Sequence, residues 1–302
     1  MAIELSVGVP LFRAKYIGWL CFEGLLRQRK IDFEWEIVVI EEENQECMGR
    51  EVGGYSKPLR KVGCVRISYS PLKKWIPLAK KYRLMTDMCS PSSRIIAHNS
   101  ADDLNGPLWL HEVHKVFKDP KVDWFKQSKS IHYNIKTGDT VLFDITDMPQ
   151  RTDCIGRAIR LDLLRELPES KKRKNCDKWL FQAINEKREI RFHIDKSNNW
   201  KHGLSTWGLN NISSTSADRF KSGDPPWYEC PINIKKTIPP VILKRLVESA
   251  KYVKLHDRGL PWKVKKIVKK KIVKKKIVKK PVHVHLSGKR SDRGGGNGKD
   301  KG

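Results

Sequence analysis

The chain of 302 residues has no apolar window approaching the ~18–20 residues that a membrane-spanning helix needs. Its opening, Met1-Ala-Ile-Glu-Leu-Ser-Val-Gly-Val-Pro10, has no basic segment ahead of an apolar one, so no secretory signal is expected. The seven cysteines (Cys21, Cys47, Cys64, Cys89, Cys154, Cys176 and Cys230) are scattered, odd in number and never spaced C-x-x-C. That argues against a disulfide framework and a structural zinc site. No G-x-G-x-x-G follows the first strand candidate, which disfavours a nicotinamide enzyme. His111-Glu-Val-His114 lacks the i, i+4 spacing of a zinc-protease helix, and Gly294-Gly-Gly-Asn-Gly-Lys299 lacks the Ser or Thr of a phosphate loop. Carboxylates are the scarce charge: 34 Asp and Glu stand against 61 Lys and Arg, a formal net charge of +27. The expectation is a reduced, cytoplasmic protein with the option of peripheral contact to an anionic membrane.

What is present can build a core, since 39% of residues are hydrophobic and 9% aromatic. The basicity is uneven. Residues 263–302 hold 16 Lys and Arg with 2 acids, while residues 1–262 hold 45 with 32. Residues 265–279 repeat Lys-Lys-Ile-Val-Lys three times. A period of five matches neither helix nor strand, so the Ile-Val pairs form no single stripe. Self-repulsion among the 11 Lys of residues 263–280 predicts a loose segment, and residues 287–302 are predicted disordered. The candidate partner of 263–280 is a polyanion, either nucleic acid through its phosphates or an anionic membrane. A solubilising end is the plainer reading.

Ile3, Leu5, Val7 and Val9 alternate with Glu4, Ser6 and Gly8, which predicts a strand ended by Pro10. Residues 15–28 read as an amphipathic helix, Trp35–Ile40 as a buried parallel strand, and Val62–Ile67 as a further strand. Pro71 is expected to open a helix through about Tyr82, with Pro77 as a break, before a short strand at Arg94–His98. Strand alternating with helix argues for an α/β fold with a mostly parallel sheet. Beyond Asp103 the pattern predicts a helix at 106–117 and strands near 122–125, 130–136 and 139–145. Helices at 158–167 and 177–186, a strand at 190–194 and a final helix at 238–252 complete the prediction. Residues 195–230 read as loops.

Ligands of open α/β sheets bind beyond the carboxyl ends of the strands. Two acidic groups sit at such ends: Glu41-Glu42-Glu43 after Trp35–Ile40, and Asp102-Asp103 after Arg94–His98. Carboxylates there can bridge a divalent cation to a diphosphate, or accept from a nucleobase N–H. The first group is also readable as a solvated acidic loop, and the second as a helix N-cap.

Six segments follow one another in a specific order. Val7-Gly-Val-Pro-Leu-Phe-Arg-Ala-Lys-Tyr-Ile17 is a strand, loop and helix start, and Leu25-Leu-Arg-Gln28 ends that helix. Trp35-Glu-Ile-Val-Val-Ile-Glu-Glu42 and Arg94-Ile-Ile-Ala-His-Asn-Ser-Ala-Asp-Asp103 run into the acidic groups. Asp119-Pro-Lys-Val-Asp123 and Asn175-Cys-Asp-Lys-Trp-Leu180 come after. Over about residues 3–195 this series resembles the inverting nucleotide-sugar glycosyltransferases of family 2, with the GT-A fold. The resemblance departs at Glu41 and Glu42, which replace aspartates, at Ser100, which replaces the first Asp of the Asp-x-Asp metal motif, and at Cys176, which replaces a Glu.

The resemblance implies a nucleotide-sugar-binding half at 1–105 and an acceptor-binding, catalytic half at 106–230. A helical extension at 231–262 and the Lys-rich tail at 263–302 would follow. It implies a hexosyl transfer from a nucleoside-diphosphate sugar to an acceptor hydroxyl. Pro10, Phe12, Glu41, Glu42 and Asp102 would contact the nucleotide. Asp102, Asp103 and His202 would hold Mn²⁺ or Mg²⁺, with His193 a further late histidine. Asp177 would be the general base, or Asn175 would occupy that position in the other register, leaving the chain inactive. Arg151 and Arg157 either contact phosphate or are solvated. Trp179 either stacks on an acceptor sugar or faces the core, and Trp200, Trp207 and Trp227 are candidates for an acceptor platform. The competing readings are a nucleic-acid-binding protein whose tail carries affinity, and a nucleotidyltransferase, at which only Arg13 and Lys15 hint.

Overall fold

The computed structural model describes residues 2–12, 14–42, 47–135, 137–148, 155–167, 176–207 and 227–259. Strand and helix alternate at first as expected: β1 (Leu5–Leu11), α1 (Trp19–Leu26), β2 (Trp35–Glu42), α2 (Gly49–Arg60), β3 (Cys64–Leu72), α3 (Leu78–Met88) and β4 (Ile95–His98). Then come β5 (Asp103–Leu104), α4 (Trp109–Val116), β6 (Trp124–Gln127), β7 (Lys129–Asn134), β8 (Thr140–Asp144), β9 (Ala158–Arg160), α5 (Leu161–Arg165), α6 (Cys176–Asn185) and β10 (Phe192–Asp195). A 3-10 turn at Asn198–His202 leads to β11 (Leu204–Trp207), β12 (Trp227–Glu229), α7 (Ile234–Thr237) and α8 (Pro240–Gly259).

Seven strands form a central sheet in the order β10-β6-β9-β4-β1-β2-β3. β1 to β4 are mutually parallel and β10 is parallel to β6, whereas β9 runs antiparallel to both β4 and β6. From β1 the chain builds outward through β2 and β3, then returns to place β4 on the other flank of β1. That reversal makes the β1/β4 boundary a topological switch point. A second sheet, ordered β12-β8-β7-β11-β5, packs with α8 around its own apolar cluster. Residues Met1–Leu260 form one compact unit.

The middle of the central sheet is buried on both faces, because β1, β2 and β4 carry apolar residues at most positions. Ile37 and Val39 of β2 join the cluster under α1, α2 and α4, while Val38 and Ile40 join the one under α3, α5 and α6. β1 gives Leu5, Val7, Val9 and Leu11 to the first face and small residues to the second. At Gly8 a Cβ would lie 3.0 Å from Ile96 Cδ1 and 3.2 Å from Met85 Sδ, so glycine admits α3 to close range.

Several expectations are corrected, among them the loop reading of residues 195–230, which carry β11 and β12. Pro71 lies within β3, and the helix begins only after Pro77, whose extended ψ closes off any earlier start. The start of the helix expected at 158–167 is instead β9, paired on both sides, with only the short α5 after it. α2 was not expected, since it contains Gly53, Gly54 and Pro58, all poor helix formers. A methyl at either glycine would meet nothing within 4 Å. Among the described residues no helix is long and apolar enough to cross a membrane. Cys154, Asn175, Arg151 and the lysine repeat lie outside the described residues.

His132 of β7 is edge-on to Phe143 and 3.1 Å from Ser130 Oγ through Nε2. Burial lowers its titration to about 3. An unfolded histidine titrates near 6.5, so between those values the unfolded chain binds the extra proton and folding is opposed as pH falls. The expected cost is ~1.4 kcal/mol per pH unit across that window. Urea melts of wild type and His132→Gln at pH 7, 6 and 5 should show wild type losing its lead as the pH drops. A constant difference would refute the assignment.

Candidate active site

The carboxyl rim of the central sheet is where β1, β2, β3, β4 and β6 end and antiparallel β9 begins. Pro10 sits opposite Ile40, and Leu11 opposite Glu41. Phe12 follows, 40% exposed, with the Lys81 ammonium 5.5 Å from its ring centre. Glu41 and Glu42 are both buried, and strand alternation sends them to opposite faces. On the α2 side, Glu41 Oε2 accepts from Met48 N–H at 2.7 Å and Tyr69 O–H at 2.8 Å. Burial raises the Glu41 pKa, against the pull of those two donors. On the α3 side, Glu42 Oε1 is 2.7 Å from Lys81 Nζ, which also donates to the Leu11 carbonyl at 2.9 Å.

Asp102 and Asp103 come together at the turn after β4. The Asp102 carbonyl accepts from Thr206 N–H at 2.9 Å, and Asp103 receives the hydroxyls of Ser100 and Ser205. Burial pushes Asp102 up to about 6, and burial followed by Asp102's charge drives Asp103 well above the ordinary carboxylate range. Both charges also raise the thiol of Cys21 on α1, after burial itself.

His202 is not brought to this pair, a correction to the expected ligand set. β11 meets β5 antiparallel, with Ser205 opposite Asp103, so the chain before Leu204 runs away from Asp102. The exposed His202 instead offers its carbonyl to Arg27 Nη1 at 3.4 Å, beyond the far end of α1. His193 stacks on Phe125 with ring centres 5.9 Å apart. Among the described residues no three His, Cys, Asp or Glu groups gather as a metal site. His111 and His114 are held apart, one against the Lys30 carbonyl and the other against Glu4.

Asp177 is the second residue of α6, and its side chain lies outside the described residues. The backbone direction is nevertheless clear. Lys187, just beyond α6, donates to the Glu166 carbonyl near the amino edge of the sheet, and β10 then runs parallel to β6 toward the rim. A helix rising ~1.5 Å per residue carries its first turn back to the rim. Trp179 is half-buried against the α3-side core, which favours its core reading, and Trp200 is buried. The side chains of Trp207 and Trp227 are outside the described residues.

Sequence reasoning missed the group on the α3 side. Arg157 is not solvated but 5% exposed. Its Nε donates to His98 Nδ1 at 3.1 Å, and its Nη2 donates to the Tyr82 hydroxyl. The Tyr82 ring stacks on His98 at 4.5 Å. A loop, the end of β4 and α3 meet there, and only Arg157 had drawn notice.

Buried polar atoms without a hydrogen-bond partner include Glu41 Oε1, His98 Nε2, Asn105 Oδ1 and both amide atoms of Gln127. They end β2, follow or end β4 and β5, and end β6. Such groups are uncommon in folded proteins, and their concentration at one rim marks a place built to receive something polar. A cleft of about 1470 Å³, lined by Glu4, Phe33, Arg94, His114 and Arg160 among others, lies at the opposite edge, away from these groups.

No protein-family model and no curated protein matches the sequence. Solved structures do. The fold is similar to that of S. aureus TarS. TarS residues 1–349 superpose with a TM-score of 0.52 at 12% identity over 68% of this chain and 60% of that one. Its complex with UDP-GlcNAc gives 0.52 at 13% over 68% and 59%, and its complex with UDP 0.52 at 13% over 68% and 61%. The chain thus spans under two thirds of those structures, and at this identity the likeness establishes architecture. The expected GT-A-like α/β fold, with its mostly parallel sheet flanked by helices, is borne out.

Gly156, just before Arg157, has φ of +63°. A Cβ there would lie 2.7 Å from Asn105 Oδ1 and 2.9 Å from Trp109 Nε1. Gly156→Ala should cost ~2 kcal/mol or more from the left-handed backbone and the overpacking together. An unchanged urea midpoint would show that the rim is looser than described.

Proposed function

We propose that this chain is a glycosyltransferase, moving a sugar from a nucleoside-diphosphate donor to an acceptor hydroxyl in one inverting displacement. The observation that carries the reading is the convergence at one rim: the Asp102-Asp103 pair, the start of α6 with Asp177, and most of the buried unpartnered polar atoms. The fold is similar to one solved with UDP-GlcNAc and with UDP, which makes a uridine nucleotide the first donor to try.

Inversion by a single in-line attack needs one base, because the leaving diphosphate requires charge stabilisation and not a proton. Asp177 takes the proton of the acceptor hydroxyl. Glu41 reads the nucleobase or ribose through Oε1, its other oxygen being engaged by Met48 and Tyr69. Glu42 is committed to Lys81 and positions the end of β1 instead. Pro10 and Phe12 line the nucleotide's approach.

The donor set fits Mg²⁺ or Mn²⁺ in a restricted way. Mg²⁺ is often held by one or two carboxylates together with substrate phosphate oxygens. Asp102, and Asp103 beside it, match that pattern, and their mutual repulsion is relieved by a cation. A bound divalent ion supplies neutralisation of the departing diphosphate. The acceptor is a hydroxyl compound not identified by the site, and a polyanion contact through 263–280 remains part of the proposal.

Thermal melts with UDP and UDP-GlcNAc, with and without Mn²⁺, should show stabilisation that Asp102→Ala reduces. Asp177→Asn should keep UDP binding and lose about 10²–10⁴-fold in UDP release from the donor. Undiminished turnover in Asp177→Asn would sink the assignment of the base, and no stabilisation by any nucleoside diphosphate would sink the function.

A further inference from the structure

Tryptophan is mostly an interior residue in this chain. Trp19, Trp35, Trp109, Trp124 and Trp200 are buried, and Trp179 is half-buried. Trp75 departs from them at 50% exposed. It stands in the loop between β3 and α3, just past Leu72, which pairs with Glu42 at the carboxyl rim. Lys73 and Lys74 before it are exposed, while Leu72, Ile76 and Leu78 are half-buried. Pro71 and Pro77 bracket the loop, and the fixed φ of proline presents the indole from a stiffened frame. From Tyr69 to Thr86 the sequence carries Lys73, Lys74, Lys80, Lys81 and Arg83 and no acid. Glu42 answers Lys81 at 2.7 Å, and Asp87 answers Arg83 at 3.2 Å. Lys73 and Lys74 therefore flank the exposed indole with positive charge at the surface.

We propose that the β3–α3 loop seats Trp75 in the headgroup region of an anionic bilayer, with Lys73 and Lys74 against the lipid phosphates, so that the carboxyl rim is held toward the membrane. An indole has an apolar body and one polar N–H, which suits the boundary between hydrocarbon and water. Lysines beside it can lay their stems on the apolar layer and keep their charges among anionic headgroups. A single-stranded nucleic acid is served by a row of stacking rings along a groove, whereas this loop offers one ring among aliphatic neighbours. The inference does not depend on the glycosyltransferase reading. The 11 Lys of residues 263–280 would add attraction without depth, and two weak membrane signals together hold where one alone does not.

The test is co-sedimentation of the full chain with vesicles of phosphatidylcholine alone and of phosphatidylcholine mixed with phosphatidylserine. Wild type should favour the mixed vesicles. Trp75→Ser should lose about 10-fold in partitioning onto them, and Trp75→Phe should recover most of that loss. Lys73→Gln combined with Lys74→Gln should lose about 30-fold at low salt and little at high salt, whereas the Trp75→Ser deficit persists in both. These side chains are exposed, so urea midpoints should match wild type. If the midpoint of Trp75→Ser falls, the lysine pair read at both salt concentrations decides. Wild type indifferent to vesicles would overturn the proposal. So would Trp75→Ser partitioning like wild type, which would leave the attraction to the 263–280 lysines. Unchanged vesicle binding with a lost UDP stabilisation in Trp75→Ser would put the indole in the donor site instead. Unchanged vesicle binding with a wild-type dimer that Trp75→Ser abolishes, seen by sedimentation velocity, would assign it to a second copy of the chain.

Discussion

A strand buried on both faces must deal its side chains alternately to two cores, and that constraint governs what the rim can do. β2 gives Ile37 and Val39 to one core and Val38 and Ile40 to the other. The alternation does not stop where the apolar residues stop. It carries Glu41 toward α2 and Glu42 toward α3, so two adjacent carboxylates cannot share a ligand atom. One becomes a fixed counter-charge for Lys81. The other keeps an oxygen without a partner. β4 obeys the same rule, with Ala97 facing one core and His98 stacked beneath Tyr82 on the opposite side.

The rim is two-sided in charge as a result. Asp102 and Asp103 repel one another in a desolvated setting, an arrangement that costs the folded state and that the Ser100 and Ser205 hydroxyls relieve in part. Across the switch point Arg157 is held by His98 and Tyr82. Local rules of good packing are broken here by a buried pair of adjacent carboxylates.

The alternation of apolar strands with amphipathic helices made the parallel sheet legible in the first hundred residues, because strand and helix periods differ and each was well marked. Acidic residues following two apolar runs read as marking the carboxyl rim, and Glu41, Glu42 and Asp103 are buried there. Pro71 misled, since proline is tolerated in the outermost strand β3, at the sheet's edge, as readily as at a helix start. β9 was hidden because three residues carry too little period to separate strand from helix. The second sheet depends on pairings such as Ser205 with Asp103, a hundred residues apart, which no local pattern encodes. His202 was misplaced for the same reason: its distance from Asp102 depends on the direction of β11. The Arg157, His98 and Tyr82 group comes from a loop, a strand end and a helix, and nothing in their spacing announces that they meet.

Antiparallel β9 has a mechanical corollary. A parallel strand delivers its last residues to the rim, but β9 delivers its first, so Gly156 and Arg157 arrive on the connection from β8. β8 belongs to the other sheet, paired with β7 and β12. The guanidinium is therefore tethered at one end to the central scaffold and at the other to a separate layer. The residue carrying the guanidinium thus stands where the chain passes from one sheet to the other.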